Sequence, residues 1–187
     1  MAQRSPSEPA GFVTWIEGLP GSGKSTVAVW LAAKLRGRGL KTEVLDGDEV
    51  RAMFSPELGF SRKDRELHAR RVSYVARLLA RNGVAVLVAM ITPYETSRQA
   101  ARATAPERFT EVWLQCTLEV CRERNPKGIF SRADAHTITK VTGMDDPFEE
   151  PLNPDCVVDT STRTVEQCGQ LILDHLRQKG LIPPSAA

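Results

Sequence analysis

The chain has no apolar run long enough to cross a membrane. Its longest, VAVLVAM at 84–90, is far short of the ~20 residues such a helix needs. The opening MAQRSPSEPA has no apolar centre, which predicts a disordered tail over 1–10 rather than a secretory signal, and IPPSAA predicts another over 182–187. Charge of one sign is also scarce. Lys and Arg number 25 against 23 Asp and Glu, a formal net charge of +2, too small to imply a nucleic-acid or membrane partner. Cys116, Cys121, Cys156 and Cys168 form no C-x-x-C pair, and His68, His136 and His175 are scattered, which argues against a zinc site. Reduced cysteines in or near the core of a cytoplasmic protein are the expected arrangement. No internal repeat or linker divides the 187 residues, so a single domain over 11–181 is predicted.

Against these absences stands a regular alternation of element types. β-rich segments at 12–16, 42–46, 84–90, 111–116 and 156–160 alternate with helical patterns at 24–39, 61–83, 95–105, 118–124 and 164–180. Ser61 has the composition of a helix N-cap with Asp64 in the first turn. The run 84–90 is apolar without alternation, as a strand covered on both faces must be. The pattern predicts an α/β fold, a three-layer αβα sandwich of P-loop NTPase type around a five-stranded parallel sheet. Residues 125–154 are polar and weakly periodic, and read as a lid and loop. Trp15, Trp30 and Trp113 fall on predicted strands or helices, where core or interface packing is the ordinary role.

In an open parallel sheet, ligands bind beyond the carboxyl ends of the strands. At the end of the first predicted strand lies GLPGSGKST, comprising Gly18, Leu19, Pro20, Gly21, Ser22, Gly23, Lys24, Ser25 and Thr26. It fits G-x-x-x-x-G-K-[ST], in which backbone amides cradle a triphosphate, the lysine reaches its β- and γ-phosphates and the serine hydroxyl meets Mg2+. ATP and Mg2+ are therefore the predicted cofactors. After the second strand, LDGDEVR places Asp46 and Asp48 at a strand-to-helix turn, with Arg51 on the same helix face. Phosphoryl transfer to an alcohol needs metal positioning and a proton acceptor, and the two carboxylates suit those tasks: Asp46 for the metal, Asp48 for the hydroxyl. Helix capping is the alternative use of the same residues.

The ordered segments GLPGSGKST, LDGDEVR, LGFSRKDRE with its following RR, ITPY, NPKGIF, TGMDDPFEEPLNPD and VVDT together resemble the adenylylsulfate kinases over roughly residues 12–180. The resemblance implies transfer of the γ-phosphate of ATP to the ribose 3′-hydroxyl of adenosine 5′-phosphosulfate, with Asp48 and Lys24 catalytic, in a magnesium-dependent and often dimeric protein. It further implies that Phe60 packs against the acceptor adenine and that Arg51, Arg65 and Arg70 face its anionic groups. Ile91 and Thr92 would line the acceptor pocket, and the lid would bring Arg124, Lys127 and Arg132 toward phosphates. The family usually has Ser at Thr92, Arg at Glu95, Asn at His68, Arg at Asp134, Phe at Val141 and Asp at Asn125. These departures lie on the acceptor side and keep two alternatives open: a related kinase of another nucleotide-like or small hydroxylated metabolite, and a non-catalytic nucleotide-binding module.

Overall fold

The computed structural model describes residues 11–183; the expected tail over 1–10 and residues 184–187 lie outside the described residues. Five strands, β1 Phe12–Glu17, β2 Thr42–Asp46, β3 Ala85–Ala89, β4 Phe109–Gln115 and β5 Cys156–Asp159, form one sheet. All pairings are parallel and the order is β2-β3-β1-β4-β5. β1 and β3 lie inside the sheet and are buried along their whole length, which accounts for the unbroken apolar run at 84–90.

Successive strand residues face opposite sides, so the sheet has two cores. On one side Phe12, Ile16, Leu87 and Leu114 meet α1 (Lys24–Arg36) and α7 (Val165–Gln178). On the other, Val13, Trp15, Val86, Val88 and Phe109 meet α2 (Gly47–Phe54), α3 (Arg62–Ala80) and α4 (Glu95–Arg102). The predicted three layers are thus present. A third, smaller cluster joins Cys116 and Cys121 of the α5 region (Leu118–Arg124) to Phe130 of α6 (Ile129–Asp134) and to Val141. This cluster gives the segment read as a lid its own apolar footing, and part of that segment is helical. Among the described residues, no helix is long and apolar enough to cross a membrane.

The helix ends follow local chemistry. The Ser61 hydroxyl accepts from the Asp64 amide at 3.2 Å, as its N-cap composition predicts. Thr164 and Gln167 form a reciprocal capping box at the start of α7. α1 stops at Arg36, three residues short of the expected end, because Gly39 turns the chain into the left-handed region at φ 78°. Ile182, expected to open a tail, is instead buried with Leu181 in the first core. Trp15 is fully buried in the second core, and Trp30 packs over Gly169 of α7, where there is no room for a Cβ.

Gly11 sets how closely β1 approaches the end of α3. A Cβ there would lie 2.3 Å from the Val84 carbonyl oxygen and 2.4 Å from that of Ala80, both backbone atoms that no rotamer change can move. Gly11→Ala is expected to cost about 1–3 kcal/mol by overpacking, or about 2–12 °C in Tm for a chain of this size. An unchanged thermal midpoint would contradict that close approach.

Candidate active site

The carboxyl ends of the strands open into a cavity of about 590 Å³, within the range of small-ligand sites. Its floor is the turn between β1 and α1. Gly18, Gly21 and Gly23 have φ of 148°, 83° and 90°, which side chains rarely tolerate. A Cβ on Gly18 would sit 2.6 Å from the Leu114 carbonyl oxygen. This backbone carries the turn into the amino end of α1, whose first amides and positive dipole end favour an anion.

Lys24 lies against this turn. Its ammonium donates to the carbonyls of Gly18 at 3.0 Å and Leu19 at 2.7 Å and to the Ser22 hydroxyl at 3.4 Å. Burial lowers its pKa to about 8, against the opposing pull of Cys121, Asp46, Asp48 and Glu17. Ser25 donates its hydroxyl hydrogen to Asp46 Oδ2 at 2.5 Å. Asp46 Oδ1 accepts from the Asp48 amide at 3.1 Å and caps α2. Capping thus occupies Oδ1 and leaves Oδ2 to the Ser25 hydroxyl.

Asp48, in the first turn of α2, is exposed and pairs with Lys127 across the cavity at 2.5 Å. That hydrogen bond to Asp48 is the main reason the Lys127 pKa is raised. Lys127 has φ 57° and sits beside Gly128 at φ 66°, in the kinked turn that opens α6.

The far end of the cavity is aromatic and basic. The Phe60 ring has two guanidiniums close by, with Arg51 Cζ 4.9 Å and Arg65 Cζ 5.3 Å from its centroid. Arg51 also donates to the Gly59 carbonyl at 3.0 Å. Arg65 is nearly buried and donates to the carbonyls of Phe60 at 3.1 Å and Lys140 at 2.7 Å, with Asp146 3.3 Å away. Arg65 therefore ties α3 to the base of the lid while lining the cavity. Ile91 lines the cavity as expected.

Two expected acceptor residues lie elsewhere. Arg70 is exposed and outside the cavity lining, because five residues of helix turn it roughly 140° from Arg65. Thr92 is fully behind the wall, where its hydroxyl accepts the Trp15 indole hydrogen at 2.9 Å. The departures from the family pattern also find local partners. Glu95 pairs with Arg98 at 2.6 Å and Asp134 with Arg122 at 2.6 Å, and neither lines the cavity. Val141 is buried in the third core cluster rather than facing the acceptor end. Asn125 caps the next turn by accepting from the Phe130 amide at 3.0 Å. Only His68 reaches the cavity. It is buried beside Ser55, and burial followed by the charges of Arg51 and Arg71 lowers its pKa to about 4, so it is neutral at ordinary pH.

The opposite end of the cavity holds the expected Arg124 and, beside it, Thr160, Arg163, Val165 and Cys168, which sequence reasoning missed. Arg124 donates to the Gly21 carbonyl at 3.2 Å and the Thr160 carbonyl at 2.5 Å. The signal was available, since VVDT ends the fifth strand and strand ends bear ligands in this class of sheet. Arg132, expected near phosphates, is exposed on α6 and is not part of the wall.

The chain also matches known proteins along most of its length. The family model described as Adenylylsulphate kinase matches residues 10–159. A probable adenylyl-sulfate kinase of Pyrococcus abyssi is 44% identical over 92% of this chain and 99% of its own length. A probable bifunctional SAT/APS kinase 2 of Sorangium cellulosum is 46% identical over 95% of this chain, which spans only 30% of that longer protein. The Mycobacterium tuberculosis APS kinase CysC, solved in complex with AMPPNP and APS, superposes with a TM-score of 0.87 at 40% identity, covering 90% of this chain and 99% of that one. With the site geometry and the match along most of its length in agreement, this chain belongs to the adenylylsulphate kinase family.

Proposed function

We propose that this chain transfers the γ-phosphate of ATP to the ribose 3′-hydroxyl of adenosine 5′-phosphosulfate, giving 3′-phosphoadenosine 5′-phosphosulfate. The observation that carries this reading is the placement of Asp48. It lines one cavity with the Lys24 cradle and with Arg51, Phe60 and Arg65, and meets the lid there through Lys127.

The chemistry divides among residues already placed. The amides of Gly18–Thr26 and the amino end of α1 hold the triphosphate, and Arg124 with Thr160, Arg163, Val165 and Cys168 encloses the other end of ATP. Lys24, a desolvated cation at the cradle, stabilises charge on the moving phosphoryl group. Phe60 offers an aromatic face to the acceptor base, and Arg51 and Arg65 supply positive potential for its phosphosulfate. Asp48 exchanges its contact with Lys127 for the acceptor hydroxyl, orients it and takes its proton. Lys127, freed from Asp48, is a lid cation within reach of the transferring group, and closure of the lid excludes water.

The residues present fit Mg2+. Ser25 Oγ and Asp46 Oδ2 converge 2.5 Å apart beside the cradle, and both are hard oxygen donors. Among the described residues no group of three or more His, Cys, Asp or Glu forms a metal cage, which suits an ion that keeps waters and phosphate oxygens in its shell. Bound there, Mg2+ would neutralise phosphate charge. The homodimer implied by the family resemblance belongs to the same reading.

Replacing Asp48 by Asn removes the proton acceptor and keeps the shape. Adenylylsulfate-dependent ADP formation is expected to fall about 10²–10⁴-fold while ATP affinity is unchanged; full turnover in that variant would overturn the role. The lowered pKa of Lys24 sets a second test. In the free protein its ammonium is lost as pH rises through about 8, so ATP binding should be flat below that pH. Above it, binding should weaken toward about tenfold per pH unit, one proton being lost per site. Titration calorimetry from neutral to alkaline pH reads this directly, and Lys24→Met should bind ATP weakly with no such dependence. A wild-type affinity independent of pH across that range would contradict it.

A further inference from the structure

Glu17, the last residue of β1 and the neighbour of Gly18, has no part in the transfer, yet it is fully buried. Its side chain leaves the strand on the face of Val13 and Trp15, where α4 and β4 close over it. The groups around it form one connected cluster. Arg98 of α4 lies with its Nε 3.5 Å from Glu17 Oε2 and 3.6 Å from Glu111 Oε1. The Arg98 hydrogens go elsewhere, to Glu95 Oε2 at 3.1 and 2.6 Å and to the Thr92 carbonyl at 2.8 Å. Glu111 of β4 pairs with Arg102 at 2.8 Å, Arg102 with Asp155 at 2.8 Å, and Asp155 with Lys179 at 2.9 Å. Lys24 also senses the Glu17 charge, but its ammonium is bonded to the cradle carbonyls.

Four carboxyl groups, Glu17, Glu95, Glu111 and Asp155, therefore share three cations, Arg98, Arg102 and Lys179. The cluster is one positive charge short, and burial makes an uncompensated charge costly. Neither Glu17 oxygen receives a hydrogen from an N–H or hydroxyl group. The other carboxyl facing it is Glu111, held against the same Arg98 Nε, and two carboxyl groups buried around one guanidinium favour a proton on one of them. Glu111 already accepts from Arg102, so Glu17 is the group with less to lose by being neutral.

We propose that Glu17 carries this proton in the folded protein, and that the resulting Glu17–Glu111 clasp, with Arg98 beneath it, positions the start of the phosphate cradle against the acceptor wall. Glu17 precedes Gly18 directly, and Arg98 holds the Thr92 carbonyl next to Ile91, which lines the acceptor side. Burial, followed by the charges of Glu111 and Glu95, raises the Glu17 carboxyl well above its ordinary value against the pull of Arg98, in the same direction. The positioning role rests on the kinase reading, whereas the proton does not.

The sign of the pH effect follows from linkage. Above the ordinary value of 4.5 the unfolded chain releases the Glu17 proton while the folded protein keeps it, so stability from this group falls as pH rises toward the folded value. Glu17→Gln keeps the shape and a hydrogen to donate but cannot titrate. The Tm of ligand-free Glu17→Gln minus that of the wild type is expected to widen by about 3–5 °C per pH unit above that value. Read below about pH 8, where Lys24 keeps its proton, the difference excludes the titration of Lys24. Infrared spectra at neutral pH should show a buried carboxylic-acid C=O band in the wild type that is missing from Glu17→Gln.

A Tm difference constant with pH, an absent band, or failure of Glu17→Gln to fold would each mean an ionised Glu17 and overturn the proposal. Glu17→Ala, assayed below its midpoint with ATP and adenylylsulfate, should lose kcat at unchanged ATP affinity; an unchanged kcat would overturn the positioning role. If the wild type itself did not turn over adenylylsulfate, the kinase reading would fall while the pH and infrared results would still decide the proton.

Discussion

A parallel sheet covered on both faces meets its ligands only at strand ends, and here one strand end governs the rest. The turn from Gly18 to Lys24 bends through left-handed backbone conformations so that β1 passes straight into the amino end of α1. Those angles place amides and a buried lysine at a single point. Every other functional group is useful only through its distance from that point. Asp46 reaches it through Ser25, Asp48 faces it from the neighbouring helix, and Arg124 closes over it from α5.

Much of this was legible in the sequence because it depends on local rules. Left-handed turns need glycine, so Gly18, Gly21 and Gly23 advertised the cradle. Strand burial on both faces produces apolar runs, so the sheet announced itself at 84–90. Side-chain direction on the long helix α3 was harder. Arg65 and Arg70 look equivalent in sequence, but the helical turn sends one into the cavity wall and the other to the surface. Thr92 is a similar case. Its position at a strand end suggested contact with ligand, and only the packing reveals that Trp15 uses its hydroxyl.

The departures from the family pattern are best understood as exchanges of partner. An acid near an anionic acceptor is repulsive only if it is unpaired and points the right way. Glu95 turns inward to Arg98, and Asp134 turns to Arg122, so neither adds bare negative charge to the cavity wall. The Glu95–Arg98 pair is three residues apart on one helix and is readable from spacing, whereas the pairing of Asp48 with Lys127 cannot be seen without the fold. His68 is the departure that does change the wall, and it does so as a neutral group.

The central claim is geometric: the cradle fixes the triphosphate and Asp48 aims an alcohol at its end. Crystals grown with adenylylsulfate and an unreactive ATP analogue test it most directly. The account predicts the triphosphate wrapped by the Gly18–Thr26 amides, and the Asp48 carboxylate released from Lys127 and hydrogen-bonded to the ribose 3′-hydroxyl. A triphosphate bound elsewhere, or Asp48 still held by Lys127 with the acceptor seated, would contradict it.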